Sequence, residues 1–344
     1  MNVQTLVDTA QALVAKGKGI LAADESTSTI EKRLKTINVP CTEDNRRAWR
    51  QLLFTTQGIG DYISGVILYD ETIRQKAEDG RPLVQILESQ GVIPGIKVDM
   101  STKPLAGAPG ELITEGLDGL RERLNEYREL GARFTKWRGV ITIGDGIPSR
   151  YCINANAHAL GRFAALSQEA GLVPIVEPEV LMDGGHDIDR CFEVTESTLR
   201  QVFQELAEQR VSLEGMLLKP NMVLSGSEAP ARAGAEQVAE ATVRCFQRSV
   251  PAAAPGIVFL SGGQSDDEAT VNLNAINTIV ASKPWQLTFS YGRGLQATPL
   301  KVWGGKVENV PAAQEAFIHR SKVTSAARDG VYSPSMEKQA ELVR

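Results

Sequence analysis

The stretch Leu172-Val173-Pro174-Ile175-Val176-Glu177-Pro178-Glu179 decides the fold. Its apolar run, Leu172–Val176, leads straight into two carboxylates. A run rich in valine and isoleucine reads as a strand buried on both faces. An amphipathic helical pattern, Val194–Arg210, follows it. Then a second run, Leu213–Leu218, ends in Lys219. Strand, helix and strand in that order predict a parallel pair.

The same unit recurs in both directions. The other apolar runs are Gly19–Ala23, Tyr62–Tyr69, Val92–Val98, Phe134–Ile143, Gly256–Leu260 and Leu287–Phe289, which makes eight in all. Further helical patterns cover Ile113–Leu130, Ala231–Gln247 and Asp266–Ala281. Eight alternating units predict an α/β fold of the closed (β/α)8 TIM-barrel type. An open doubly wound sheet that bound a dinucleotide would carry G-x-G-x-x-G after its first strand, and none stands there. Met1–Ala15 reads as an extra N-terminal amphipathic helix, with Val3, Leu6, Val7, Ala10, Leu13 and Val14 on its apolar side. At about 150 residues per domain, 344 residues would make two domains. Barrels exceed that size as one unit. We therefore expect a single domain over 1–344, with a barrel core at about 17–325 and a short C-terminal extension at about 326–344.

Composition excludes several classes. Hydrophobic residues make up 42% and charged residues 23%, enough to build a large core. The 37 Lys+Arg against 42 Asp+Glu give a net charge of −5. That argues against a nucleic-acid or anionic-membrane binder. No apolar run approaches the ~18 residues of a membrane span, and the start does not read as a secretory signal. Cys41, Cys152, Cys191 and Cys245 are scattered, so neither a disulfide framework nor a zinc ribbon is expected. A cytoplasmic, reducing setting fits. His158, His186 and His319 show no i, i+4 pairing, so no histidine metal site is expected.

Polar residues end nearly every run. The first ends in Asp24, the third in Lys97, and the fifth leads into Glu177 and Glu179. The sixth ends in Lys219, the seventh in Ser261-Gly262-Gly263, and the eighth in Ser290-Tyr291-Gly292-Arg293. The fourth contains Lys136 and Arg138. In a parallel barrel all these ends share the face that holds active sites. Residues two apart on a strand share a side, so Lys136 pairs in direction with Arg138, and Glu177 with Glu179. If strands four, five and six are neighbours, Glu177 lies between Lys136 and Lys219. One such lysine alone would pass as a structural ion pair or a snorkelling strand end.

Amine catalysis needs such a set. A lysine attacks a carbonyl as the neutral amine, and burial beside another cation favours that form. Lys219 has an apolar base, Met216-Leu217-Leu218, and Lys136 could supply the second charge. Glu177 is placed to act as acid and base while an iminium forms. The iminium is an electron sink for carbon–carbon cleavage, and Asp24 is the candidate base for the hydroxyl proton. Ser28-Thr29-Ile30-Glu31 fits an S-x-x-E capping box, which leaves Asp24 free of that duty. The small turns at Ser261-Gly262-Gly263 and Gly292-Arg293 suit a phosphate, with Arg293 as a bidentate partner. Ser265 caps the helix that follows. Ser26, Thr29, Arg33 and Lys97 could meet as a second anion site.

These motifs resemble one family. Gly19-Ile20-Leu21-Ala22-Ala23-Asp24-Glu25-Ser26, Gly95-Ile96-Lys97-Val98-Asp99, Lys136-Trp137-Arg138, Val176-Glu177-Pro178-Glu179 and Leu217-Leu218-Lys219-Pro220-Asn221-Met222 are similar to the class I fructose-bisphosphate aldolases. So are Leu260-Ser261-Gly262-Gly263-Gln264-Ser265 and Ser290-Tyr291-Gly292-Arg293, and the likeness runs in order from about residue 12 to about residue 333. The resemblance implies reversible, metal-independent cleavage of fructose 1,6-bisphosphate to glycerone phosphate and glyceraldehyde 3-phosphate, in glycolysis and gluconeogenesis. It implies no organic cofactor and a homotetramer. By matched position it makes Lys219 the Schiff-base lysine, Glu177 the acid/base and Asp24 the base for the C4 hydroxyl. Lys136 and Glu179 become supporting charges. Ser261, Gly262, Gly263, Ser290, Gly292 and Arg293 match the C1-phosphate pocket. Ser26, Thr29, Arg33 and Lys97 match the C6-phosphate side. Arg138 joins the basic residues gathered at that face.

The chain departs from the family pattern at three points. Animal members close on a tyrosine in a mobile tail, whereas this chain ends Glu341-Leu342-Val343-Arg344 and its last tyrosine is Tyr332. Glu177 or a water would then exchange the enamine proton. Thr29 replaces the usual serine, and Ser28 the usual glycine. Two other readings remain at this level. One is a Schiff-base aldolase preferring sedoheptulose bisphosphate or fructose 1-phosphate. The other is a catalytically silent phosphate-binding barrel.

Overall fold

Short segments of branched apolar residues pair in parallel and close on themselves. They are β1 (Gly19–Ala23), β2 (Ile63–Leu68), β3 (Ile93–Lys97), β4 (Phe134–Ile141), β5 (Val173–Val180), β6 (Leu217–Leu218), β7 (Gly256–Phe259) and β8 (Gln286–Tyr291). Each strand pairs with its neighbours in sequence, and β8 meets β1 with Ile20 opposite Ser290. The computed structural model describes residues 3–279 and 283–343. Helices fill the connections: α1 (Val3–Leu13), α2 (Thr27–Lys35), α3 (Glu43–Phe54), α4 (Asp70–Arg74), α5 (Leu83–Ser89), α6 (Leu120–Glu129), α7 (Arg150–Glu169), α8 (Ile188–Glu208), α9 (Ala235–Ser249), α10 (Asp266–Thr278), α11 (Arg293–Trp303) and α12 (Val310–Arg328). The chain forms a (β/α)8 TIM barrel. Among the described residues, no helix is long and apolar enough to cross a membrane.

The two-residue period of the strands sorts their side chains. On β4, Thr135 bonds Ser167 of α7 at 2.9 Å, and Trp137 stacks on Phe163 of α7, so both face outward. Phe134 and Lys136 alternate with them and face the lumen. The lumen is apolar low down and charged high up. Its floor joins Ile20, Ile67, Phe134, Val173, Ile175, Leu217 and Val258 to Leu6, Ala10, Leu13 and Val14 at the N-terminus. Helix α1 thus closes the bottom. Two glycines make room for it. An added Cβ at Gly65 would lie 2.6 Å from Leu13 Cδ2, and one at Gly256 would lie 2.5 Å from Val14 Cγ1. The outward side chains pack under the helices in a second, larger cluster that includes Leu21, Trp137, Val176 and Leu218.

Several boundaries differ from the expected ones, for local reasons. β5 does not stop at Val176 but continues to Val180, because its ladder with β4 persists to Ile141 opposite Val180. Glu177 and Glu179 are therefore strand residues. The run Leu213–Leu218 is mostly not strand. Leu213–Gly215 forms a 3-10 turn that Gln168 Nε2 holds through the Ser212 and Gly215 carbonyls, at 2.8 and 3.1 Å. The pattern Ile113–Leu130 is not one helix. Leu112–Thr114 pairs antiparallel with Thr102–Pro104, and Gly116 and Gly119, at φ +123° and +64°, turn the chain before α6 starts at Leu120. α8 begins six residues earlier than the pattern, capped by Asp187, which accepts from the Arg190 N–H at 2.8 Å. α9 starts at Ala235 rather than Ala231. α10 ends at Thr278, and Ala281 lies outside the described residues.

Candidate active site

The C-terminal ends of the strands ring a cavity of about 860 Å³. Of the candidate residues, Asp24, Ser26, Thr29, Arg33, Lys97, Lys136, Arg138, Glu177, Glu179, Lys219, Ser261, Gly262, Ser290, Gly292 and Arg293 all line it. Gly263 does not. It turns the loop at φ +77°, where an added Cβ would lie 2.8 Å from Met182 Cε.

Four charges form a zigzag across the mouth. Lys219 Nζ lies 3.1 Å from Glu177 Oε1, and Lys136 Nζ lies 3.1 Å from Glu177 Oε2. Lys136 Nζ also lies 2.7 Å from Asp24 Oδ2. Glu177 therefore sits between the two lysines, and Lys136 sits between the two carboxylates. All four are well buried, which is tolerable because each charge has a partner. Burial pushes the Asp24 carboxyl up, yet Lys136, Lys219 and Lys97 outweigh it and hold the group well below the usual carboxylate range. Burial works against the Lys136 ammonium, but Asp24, Glu177 and Asp99 overcome it and keep the group firmly charged.

Backbone pairing fixes Lys219. Its N–H donates to the Val176 carbonyl at 2.8 Å, and the next residue, Pro220, accepts from the Leu260 N–H at 3.2 Å. The lysine is thus pinned between β5 and β7. Beside it, Asn221 Oδ1 accepts from the Val180 N–H at 3.0 Å. Arg138 and Glu179, one period above Lys136 and Glu177, form a second ion pair.

The candidate anion-binding groups fall on opposite rims. β3 and β7 stand four positions apart in the ring of eight, so Lys97 and Ser261 face each other across the mouth. On the β7–β8 rim, Ser290 Oγ is buried without a hydrogen-bond partner. Ser265 caps α10, accepting from the Glu268 N–H at 3.1 Å. α11 begins at Arg293, directly after Gly292, so its first-turn N–H groups belong to the same rim. On the β3 rim, Lys97 Nζ pairs with Asp99 Oδ1 at 2.7 Å. Ser26 Oγ lies 3.2 Å from both Ser28 Oγ and Thr29 Oγ1.

Two local readings change. The S-x-x-E box at Ser28–Glu31 does not form, because α2 starts earlier and Ser26 is its N-cap. Asp24 is free of capping duty for another reason: it is committed to Lys136. Arg33 does not stand with Lys97 alone. It reaches Gly292, where an added Cβ would lie 3.5 Å from Arg33 Nη2.

The structure also adds residues that the sequence did not single out. Glu25, Asp99, Lys32, Lys301 and Gln296 line the cavity. Lys301 stands two turns after Arg293 on α11, a spacing that could have shown it. Among the described residues, eight cationic side chains and five carboxylates line the cavity, a surplus of three positive charges. The chain carries −5, yet its mouth favours anions.

Comparison with known proteins finds relatives along nearly the whole chain. The sequence model of the family described as fructose-bisphosphate aldolase class-I matches residues 5–343. A probable fructose-bisphosphate aldolase class 1 from Xanthomonas campestris pv. campestris is 57% identical over 96% of this chain and 99% of its own. The cytosolic fructose-bisphosphate aldolase 6 of Arabidopsis thaliana is 57% identical over 95% of this chain and 91% of its own. A co-crystal structure of the Plasmodium falciparum fructose-bisphosphate aldolase superposes with a TM-score of 0.95 at 50% identity, covering 96% of each chain. The chain therefore belongs to the class I fructose-bisphosphate aldolase family.

Proposed function

We propose that Lys219 is the Schiff-base nucleophile of the family's reaction, with Glu177 as its acid/base and Asp24 as the base that opens the sugar. The observation that carries this is the zigzag Lys219–Glu177–Lys136–Asp24, with contacts of 3.1, 3.1 and 2.7 Å.

The order of events follows from these contacts. Glu177 takes a proton from the Lys219 ammonium, and the free amine attacks the C2 carbonyl. The adduct's nitrogen passes one proton to its alkoxide to give the carbinolamine, and Glu177 then returns its proton to the carbinol oxygen, which leaves as water and yields the iminium. Asp24 removes the C4 hydroxyl proton. The C3–C4 bond breaks, its electron pair moves toward the iminium, and glyceraldehyde 3-phosphate departs. The remaining enamine takes a proton at C3, through Glu177 or a water. Hydrolysis by the reverse of the first steps releases glycerone phosphate. Lys136 never needs to change protonation state. Its charge keeps Asp24 ionised and ready to accept a proton.

The rims orient the substrate. C2 is adjacent to the C1 phosphate, so that phosphate must bind close to Lys219. β6 adjoins β7, which supports Ser261, Gly262, Ser290, Gly292 and Arg293 as the holders of the C1 phosphate. The C6 phosphate then extends toward Lys97, Ser26, Thr29 and Arg33. Gly263 shapes the loop. Arg138 and Glu179 support the zigzag. We read the protein as cytoplasmic, in line with the cytosolic plant relatives, and as a homotetramer, in line with the family resemblance.

Borohydride added with glycerone phosphate should trap a secondary amine on Lys219, read by peptide mass spectrometry. Labelling at any other lysine would remove Lys219 from this role.

A further inference from the structure

Behind the rim, α3 carries a guanidinium with no access to water. The Arg50 side chain is 0% exposed, and that of Glu25, which faces it, is 3% exposed. Arg50 Nη2 donates to the Glu25 backbone carbonyl at 2.8 Å but stays 3.9 Å from the Glu25 carboxylate. On its other side, Arg50 Nη1 lies 3.5 Å from Glu71 Oε2. Glu71 is itself held by Arg46, through Nε at 2.9 Å and Nη2 at 2.5 Å. Burial, and to a lesser extent Arg46, lower the Arg50 pKa, and Glu25 and Glu71 oppose that.

Glu25 has a nearer cation. Its Oε1 pairs with Arg33 Nη1 and accepts from Gln296 Nε2 at 2.9 Å. Trp49 Nε1 donates to Gln296 Oε1 at 3.1 Å and steadies that amide. The alternating chain Arg46–Glu71–Arg50–Glu25–Arg33 therefore holds three cations and two carboxylates. It runs from α3 to the cavity wall, where Arg33 is 25% exposed. Two atoms in its middle, Glu25 Oε2 and Arg50 Nε, are buried without a hydrogen-bond partner among the described residues.

That arrangement matters when an anion arrives. A phosphate that engages Arg33 draws it from Glu25. A carboxylate so deeply buried cannot lose its counter-ion without a large penalty. We propose that Arg50 is the reserve counter-ion of Glu25, a positioning residue that lets Arg33 exchange this carboxylate for a substrate phosphate. Closing the 3.9 Å gap would satisfy the idle Glu25 Oε2 as Arg33 leaves. The proposal rests on the reading of Arg33 as a phosphate-binding residue.

The test uses inorganic phosphate as a competitive inhibitor of the full-length enzyme, with KM and kcat for fructose 1,6-bisphosphate measured beside it. Arg50→Met should raise the phosphate inhibition constant and KM by roughly tenfold, about one unit of log affinity, with kcat within about twofold. Arg50→Lys should keep most of the affinity. Glu25→Gln needs no counter-ion, so alone it should bind phosphate at least as tightly as the parent enzyme. Combined with Arg50→Met it should restore the lost affinity, a coupling that mere damage to the fold would not give. If Arg50→Met does not fold, the Glu25→Gln arm decides. Unchanged inhibition in Arg50→Met, no rescue in the double variant, or weaker binding in Glu25→Gln would each overturn the proposal. Arg33→Ala separates the premise: unchanged phosphate inhibition there would remove Arg33 from phosphate binding and the exchange with it.

Discussion

Lys136 Nζ stands 2.7 Å from Asp24 Oδ2, a contact that crosses the lumen because β4 and β1 are not neighbours in the barrel. The pair makes Lys136 the main external support for an ionised Asp24. Replacing it by methionine removes the charge and keeps most of the volume. Asp24 then loses its nearest cation, its pKa rises, and the acid limb of the pH–rate profile moves to higher pH. We expect kcat/KM to fall by about 10²-fold or more, within the range for loss of a positioned acid–base partner. A pH–rate profile of Lys136→Met checks both. An unmoved acid limb would mean that Asp24 is not the titrating base.

Asp24 also links stability to pH. Its folded pKa lies below the unfolded reference of 3.8. A group depressed in this way adds stability that is fully present above its unfolded pKa and is lost as pH falls through the folded one. Thermal melts of the parent enzyme should therefore drop below about pH 4, and Asp24→Asn should drop less steeply over the same interval. Parallel curves for the two proteins would show that Asp24 carries no such linkage.

The barrel and the mouth were legible because they rest on local pattern. Apolar runs of strand length ending in Asp24, Lys97, Lys219 or Arg293 place charge on one face once the strands are parallel. The partners of those charges were less legible. Asp24 meets Lys136 only because the lumen closes, which no spacing along the chain encodes. Arg50 reads on α3 as one more charge on an amphipathic helix, yet it is fully buried because Glu25 and Glu71 converge on it from two other segments. The strand Leu112–Thr114 was hidden in a helical spacing that Gly116 and Gly119 interrupt.

Gly262 tests the rim sterically. An added Cβ there would lie 2.7 Å from both Glu179 Oε1 and Leu260 Cδ1. Gly262→Ala must therefore push Glu179 away from Arg138 or shift the loop itself. We expect KM to rise by roughly tenfold for fructose 1,6-bisphosphate and fructose 1-phosphate alike, because both carry the C1 phosphate. Steady-state kinetics on the two sugars check this. A rise for the bisphosphate alone would place Gly262 on the other rim.

Lys97 supplies the converse. It ends β3, four strands from β7, on the rim assigned to the C6 phosphate. In the structure its ammonium is held by Asp99 Oδ1 at 2.7 Å and by the Asp99 carbonyl at 2.7 Å, which aims it without burying it completely. A charge-assisted contact to phosphate contributes about 1.5–3 kcal/mol. At about 1.4 kcal/mol per tenfold, losing it should raise KM for the bisphosphate by roughly ten- to a hundredfold. Fructose 1-phosphate has no group at that end, so its KM should stay within about twofold in Lys97→Ala. Because the lysine pairs with Asp99 rather than with Glu177, borohydride trapping with glycerone phosphate should still label Lys219 in the variant. Equal losses on the two sugars would place Lys97 in the shared chemistry and leave the C6 phosphate to Arg33, Ser26 and Thr29.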